Sequence, residues 1–320
     1  MPFGTLPLND GKKIPAIAFG TGSIYKHTDV TRYVQQALDA GFEHIDTAQV
    51  YDTEEYVGNV IRDSGLARSD LYITTKYAIG DVRTAIENSL KNLGLEFVDL
   101  YLIHGPGVGV GNVWKEFESI QKDGLAKCVV HICGHHVLCI LALGRSIGVS
   151  NHTLPQLQHL VQTATVWPAV NQVQLHPYSY AENKALLEWA AQHGIVIEAY
   201  GSLSSITTFP GGPVDAPVAA AAARLGISPT QVLFAWVRAK GAVIVTTTSS
   251  KQRLEEYLAV GDLPPLSAVD VAAIDAAGAR GPPTRLRIAL ASASANMRIA
   301  AVLALLFVLL IRLHLLVWRD

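Results

Sequence analysis

An acid, a phenol, an amine and an imidazole stand at or just past the ends of three successive apolar runs. Asp46 and Tyr51 lie in "HIDTAQVYDTEEYVG", Lys76 ends "ITTK" and His104 follows the apolar run of "DLYLIHGP". A tyrosine with a pKa near 10 is a slow acid at neutral pH. A lysine ammonium beside it stabilises the phenolate and lowers that pKa. An aspartate paired with the lysine keeps the lysine charged and in place. Such a phenol can protonate a carbonyl oxygen while hydride reaches the carbon. Taken singly, each residue has a plainer reading, since Asp before Thr at a strand end is often a helix cap. Their joint position argues for chemistry.

The elements that must position them can be read from the alternation of patterns. "LPLNDGKKIPAIAFG" holds two short runs around an Asp-Gly turn, a hairpin signal. Eight apolar runs follow, at 16–19, 43–46, 71–75, 98–103, 146–150, 169–174, 196–200 and 242–246. Between them lie amphipathic stretches such as "DVTRYVQQALDAG", "VRTAIENSLKNLG" and "SPTQVLFAWVRAKG", several stopped by Gly. Eight strand–helix alternations predict a (β/α)8 TIM barrel with an N-terminal β-hairpin, an α/β fold. Chemistry in such barrels sits at the C-terminal ends of the strands. The polar residues expected there are Asp46, Lys76, His104, Ser150, Asn151, Gln172, Tyr200, Thr246 and Thr247.

These segments resemble the aldo-keto reductase family, in particular its NADPH-dependent, fungal-type members. "HIDTAQVYDTEEYVG", "ITTK", "DLYLIHGP", "SIGVSN" and "NQVQLHPY" follow the family's motifs in order, within roughly residues 5–280. The resemblance implies NADPH-dependent reduction of an aldehyde or ketone. Tyr51 would be the general acid, Lys76 its tuner, Asp46 the partner of Lys76, and His104 the group that orients and polarises the carbonyl. Two other readings stay open: a non-catalytic barrel serving as a regulatory or scaffold subunit, and an inactive product of a misread gene.

The cofactor assignment also comes from the resemblance. "GTG" at 20–22 is too short for a dinucleotide fingerprint. The family instead lays an extended NADP across the barrel mouth. By motif, Ser150, Asn151 and Gln172 would bond the carboxamide and Tyr200 would stack on the nicotinamide. Ser202 and Leu203 follow at the pyrophosphate position. In "VIVTTTSSKQRLEEYL" a Thr triplet replaces the family's Pro-Lys-Ser, while Arg253 is retained. Arg253 could grip a 2′-phosphate through its planar fork, helped by the hydroxyls of Thr247, Thr248 and Ser249. Glu256 matches the adenine-contacting acid. The alternative for this stretch is a solvated, Ser/Thr-capped helix start. Many relatives carry Trp where Gly105 stands, so the pocket gives no substrate by name.

Bulk properties set the frame. Of 320 residues, 50% are apolar and 16% charged, which suffices for a sizeable core. A net charge of −2 without a long basic run argues against a nucleic-acid partner. A small-molecule carbonyl substrate and a monomer are expected. The three cysteines, Cys128, Cys133 and Cys139, share one segment, which favours a reducing compartment over a secreted framework, and a cytoplasmic barrel.

Two stretches interrupt this picture. Residues 128–145, "CVVHICGHHVLCILALGR", form an apolar insertion within a barrel domain of 1–278. Excising it restores "KDGLAK-SIGVSN", which suggests a translated intron. Cys133, His135, His136 and Cys139 have ligand-like types, but their irregular spacing argues against zinc, and no metal is expected. After a linker at 279–298 comes "IAAVLALLFVLLIRLHLLVW" at 299–318, long enough for about 30 Å of helix. Arg312 and His314 oppose insertion, at about 2.5–3.5 kcal/mol for a charge at mid-bilayer, yet both lie near one end. The expectation is a hydrophobic tail helix anchoring the barrel to an intracellular membrane.

Overall fold

The computed structural model describes residues 3–107, 110–123 and 146–284, together with the backbone of 132–133 and 136–137. A hairpin opens the chain: β1 (Thr5–Pro7) pairs antiparallel with β2 (Lys13–Pro15) around the turn that "NDG" signalled. Eight parallel strands then close into a barrel. They are β3 (Ile17–Gly20), β4 (His44–Asp46), β5 (Tyr72–Tyr77), β6 (Leu100–Ile103), β9 (Ser146–Ser150), β10 (Val170–Gln174), β11 (Val196–Tyr200) and β12 (Val243–Thr246). β12 pairs back onto β3, so the barrel has no open edge. The predicted (β/α)8 architecture is the observed one. The insertion carries a two-residue ladder of its own, β7 (Ile132–Cys133) against β8 (His136–Val137). The side chains proposed and rejected there as zinc ligands, and the tail at 299–318, lie outside the described residues. Among the described residues no single helix is long and apolar enough to cross a membrane.

Helices α1 (Thr31–Ala40), α2 (Glu54–Asp63), α3 (Val82–Leu93), α4 (Val110–Lys122), α5 (Leu154–Thr163) and α6 (Pro177–Gln192) follow the strands in turn. A short turn, α7 (Ser204–Thr207), precedes α8 (Asp215–Leu225) and α9 (Pro229–Ala239); α10 (Lys251–Ala259) and α11 (Ala268–Gly278) end the described fold. Strand alternation sorts the side chains. Ile45 and Ile73 face the surrounding helices in the main core, with Trp114, Phe117 and Trp236. Leu100, Leu102, Val170 and Val243 form a second cluster with Ile14 and Leu8 of the hairpin region. That region also ties itself to the barrel, Asn9 donating to the Pro168 carbonyl at 2.9 Å and Ser146 to Asp10 at 2.7 Å. The hairpin thus plugs the end opposite the strand tips that carry Asp46, Lys76 and His104.

Helix α2, which begins just after Tyr51, is held by a close approach to the C-terminus of α3. A Cβ placed on Gly58 would lie 2.4 Å from the Leu93 carbonyl oxygen, and that neighbour is backbone. Gly58→Ala is therefore expected to destabilise the fold by ~1–3 kcal/mol through overpacking. Gly111→Ala, at a helical position with open space around it, should be neutral or stabilising. Urea midpoints of the two variants check this; equal midpoints would show that α2 and α3 part freely.

Candidate active site

Strand register gathers the four predicted groups. Asp46 on β4 stands opposite Thr74 on β5, and Lys76 follows two residues later on the same inward face. Lys76 Nζ donates to Asp46 Oδ1 at 2.5 Å and to the Thr47 carbonyl at 2.9 Å, with Lys76 fully buried. Tyr51 sits in a short 3-10 turn, Gln49–Tyr51, after β4, and its ring lies 5.2 Å from Lys76 Nζ. His104, just past β6, brings Nε2 to 3.4 Å from the Tyr51 hydroxyl, the rings meeting edge to face. Asp46, Tyr51, Lys76 and His104 thus share one buried site.

The outward faces hold these positions. Thr75, beside Lys76 but pointing away, donates to Glu54 of α2 at 2.6 Å. Thr21, Thr47 and Thr53 form a buried hydroxyl cluster beneath the Tyr51 turn. Gly22 is required on steric grounds: a Cβ there would come within 2.9 Å of the Tyr51 ring. "GTG" is thus room for a phenol rather than a phosphate loop. On the solvent side a second cation, Lys26, lies 5.0 Å from the Tyr51 ring centre.

The electrostatics agree that Lys76 lowers the tyrosine pKa, but burial outweighs it. Burial raises Tyr51 above its ordinary value near 10; the Lys76 charge pulls it back only in part, and Asp46 adds to the rise. The phenol is a loaded acid that keeps its proton at neutral pH. Burial pulls Lys76 down, but Asp46 offsets it through its charge and its hydrogen bond, so Lys76 stays an ammonium. His104 is pushed down to about 4 by burial, then by Lys76 and Lys26, and is neutral near pH 7.

The residues assigned to the nicotinamide end also converge. Asn151 adopts φ 60°, a left-handed conformation that Asn tolerates better than most residues. It donates to the His104 carbonyl at 2.9 Å and accepts from the Tyr200 hydroxyl at 2.8 Å. Ser150 donates to the Gln172 carbonyl at 2.8 Å. Gln172 points into the barrel, its Nε2 donating at 2.9 Å to both Asp46 and Glu198. Ser202 is buried, bonded to the Ala199 carbonyl, and Leu203 precedes α7.

At the adenosine end the Thr247 hydroxyl is buried without a hydrogen-bond partner, and Arg253 lies exposed in the first turn of α10. A buried hydroxyl and an exposed guanidinium on the same strand-to-helix segment suit an anionic group, so the residues present fit a nucleotide phosphate. Thr248 accepts from the Ser250 N–H at 3.1 Å, and Ser250 caps α10. Glu256 accepts from Ser228, the cap of α9, so part of its carboxylate serves the scaffold.

Sequence reasoning missed Glu198 altogether. It is fully buried inside the barrel, with Oε1 lacking a hydrogen-bond partner and His44 Nε2 3.9 Å away. Burial, then the Asp46 charge, push it up to about 8, against smaller lowering by Gln172 and Lys76. The only signal was an acid inside the otherwise apolar "IVIEAY".

A parallel (β/α)8 barrel gathers this set of groups at its mouth. The chain belongs to the aldo/keto reductase family, whose model matches residues 16–130 and 143–279. The break in that match falls within the insertion. An NAD/NADP-dependent indole-3-acetaldehyde reductase of Schizosaccharomyces pombe is 35% identical over 263 residues, 78% of this chain and 86% of the relative. A glycerol 2-dehydrogenase (NADP(+)) of Hypocrea jecorina is 32% identical, covering 84% and 90%. Among solved structures, a Brucella melitensis aldo/keto reductase superposes with TM-score 0.72 at 30% identity, covering 86% of this chain and 99% of that one. A Bombyx mori aldo-keto reductase in complex with NADP gives 0.73 at 29% identity, covering 85% and 92%. The protein is an oxidoreductase that uses NADP(H).

Buried titratable groups make stability depend on pH in both directions. His44, pushed down to about 3 chiefly by burial, and His104, at about 4, bind protons less tightly folded than unfolded. Their contribution is lost as pH falls below about 6.5. Glu198, raised from 4.5 to about 8, binds its proton more tightly folded, so its contribution is lost as pH rises through that interval. With His44 and His104, joined by His152 and His176, on the acid side and Glu198 on the alkaline side, the thermal midpoint should peak near pH 6.5. A midpoint series across about pH 4 to 9 checks this; a steady rise from neutral to pH 8 would contradict it.

Proposed function

We propose that the protein reduces an aldehyde or ketone to the alcohol with NADPH, Tyr51 acting as general acid. The carrying observation is the buried Lys76–Asp46 pair against the Tyr51 ring, with His104 at 3.4 Å from the phenol oxygen. Bound NADPH supplies the hydride. Ser150, Asn151 and Gln172 would hold its carboxamide and Tyr200 its nicotinamide face. Ser202 and Leu203 would meet the pyrophosphate, and Thr247, Thr248, Arg253 and Glu256 the adenosine end.

Tyr51 keeps its proton until a carbonyl oxygen reaches it. Lys76 then stabilises the phenolate left behind, and Asp46 prevents Lys76 from swinging away. His104, being neutral, hydrogen-bonds the carbonyl without competing for the proton. Ile24, Val50 and Ile79 are exposed on the loops after β3, β4 and β5. This apolar rim favours a substrate with an apolar or aromatic substituent, in keeping with the indole-3-acetaldehyde named for the Schizosaccharomyces pombe relative.

Loss of reduced-nicotinamide absorbance with a panel of aldehydes and ketones tests the reading. Tyr51→Phe should lower kcat by ~10²–10⁴-fold, the range of one general acid, while NADPH still binds. Arg253→Ala should weaken NADPH binding by ~10–100-fold, a charge-assisted hydrogen bond's worth, and leave NADH almost unaffected. A silent panel with NADPH bound would favour the regulatory-barrel reading, and full turnover by Tyr51→Phe would remove Tyr51 as the acid.

The run at 299–318 supports a second proposal on sequence alone, that it holds a cytosolic barrel on an intracellular membrane. Full-length protein should then sediment with membranes through an alkaline wash, and a chain ending at residue 284 should not; identical partition of the two defeats it.

A further inference from the structure

Among the described residues, Asp46, Glu198 and Lys76 are charged-type side chains buried in the barrel interior beneath the site. Gln172 and Glu198 are register partners on β10 and β11, so their side chains lie together inside the barrel. Gln172 Nε2 spends its two hydrogens on Asp46 Oδ2 and Glu198 Oε2, each at 2.9 Å. Asp46 Oδ1 is taken by Lys76 at 2.5 Å. A continuous line of bonds therefore runs from Glu198 through Gln172 and Asp46 to Lys76, which faces Tyr51.

The groups facing Glu198 are few. β4 contributes Asp46 and His44, β5 contributes Lys76 and Tyr72, and β10 contributes the uncharged Gln172. His44 is neutral near pH 7, with Nε2 engaged by Thr74 at 2.8 Å, and Tyr72 keeps its proton, since burial and then the Glu198 charge raise it. Lys76 is thus the one cation among them, and Asp46 already neutralises it. A second ionised carboxylate, fully buried and with one oxygen unbonded, would be an uncompensated charge in a poor solvent for it.

We propose that Glu198 is a proton-holding positioning residue: as the neutral acid it lets Gln172 fix Asp46 on Lys76, and its ionisation weakens Tyr51 as an acid. A second negative charge beside the pair draws on the Lys76 field and disfavours the phenolate that proton donation leaves behind. Proton donation should therefore slow as pH rises through the range in which Glu198 loses its proton, near 8. Comparison with a chain whose residue 198 cannot ionise separates this limb from titration of Tyr51 itself. This inference rests on the reading of Tyr51 as the general acid.

Glu198→Gln keeps the shape and an oxygen for Gln172, and cannot ionise. For NADPH-dependent reduction of an aromatic aldehyde, wild-type kcat/KM should fall ~10-fold between about pH 7 and about pH 9.5. E198Q should stay flat within ~2-fold over the same span. Superimposable profiles, or no wild-type limb near 8, would overturn the proposal. The second measurement needs neither cofactor nor Tyr51: infrared difference spectra of the cofactor-free protein between about pH 6 and about pH 10. They should show loss of one buried carboxylic-acid carbonyl band in the wild type and its absence from E198Q. No such band in the wild type overturns the proposal even if E198Q fails to fold. If the band is present but Tyr51→Phe turns over normally, the fault lies with the assignment of the acid instead.

Discussion

The structure depends on keeping one ammonium in place where water cannot reach it. Lys76 is fully buried, and a charge in that position is costly unless it is paired and hydrogen-bonded. Asp46 supplies the opposite charge, the Thr47 carbonyl a second acceptor, and Gln172 a donor to the other Asp46 oxygen. Each comes from a different point on the barrel wall: β4, the residue just past it, and β10. Closure of the barrel is what brings β10 across from β4. An open sheet of the same strands would leave Gln172 far from Asp46 and the pair half solvated. The ion pair is therefore a consequence of topology more than of local sequence.

That constraint explains why the neighbourhood is rich in hydroxyls and poor in free charges. Thr21, Thr47 and Thr53 bond one another under the Tyr51 turn, and Thr74 occupies His44. Threonine satisfies buried polar atoms without adding charge and has high β propensity. The titrating groups are tuned by what surrounds them. Tyr51 and His104 are both held in their neutral forms chiefly by burial. The site at rest is thus one charged pair facing two neutral groups, an arrangement poised to transfer one proton in one direction.

Much of this was legible in the sequence because strand tips are where an apolar run meets a polar residue. Asp46, Lys76 and His104 could be found by that rule, and Tyr51 by its motif. Eight apolar runs mapped onto the eight barrel strands to within a few residues at each end. What escaped was whatever depends on closure. Glu198 lies mid-strand, where an inward-facing acid looks like any alternating polar residue until the barrel makes its surroundings dry. The net direction of the Tyr51 shift escaped for the same reason: the lowering by Lys76 was visible in the sequence, but the larger rise from burial of the phenol was not. Helices α8 and α11 were not singled out because "DAPVAAAAARL" and "AVDVAAIDAAG" offer little contrast between an apolar and a polar face.

The strand that follows the insertion at 128–145 is fixed by contacts of its own. β6 and β9 flank it in sequence, yet they pair directly through four register partners, from Leu100 with Ser146 to Ile103 with Val149. The first residue of β9 is fixed by contacts of its own: Ser146 N–H donates to the Asp99 carbonyl at 3.0 Å and its hydroxyl to Asp10 at 2.7 Å. Whatever precedes Ser146 therefore joins the barrel at the end plugged by the hairpin. Ser150 and Asn151 lie at the far end of the same strand, and the bonds that orient them run to Gln172, His104 and Tyr200. A strand pinned at its start and bonded along its length transmits little of what happens before it. Among the described residues, the chemistry is assembled by contacts of β9 with its barrel neighbours.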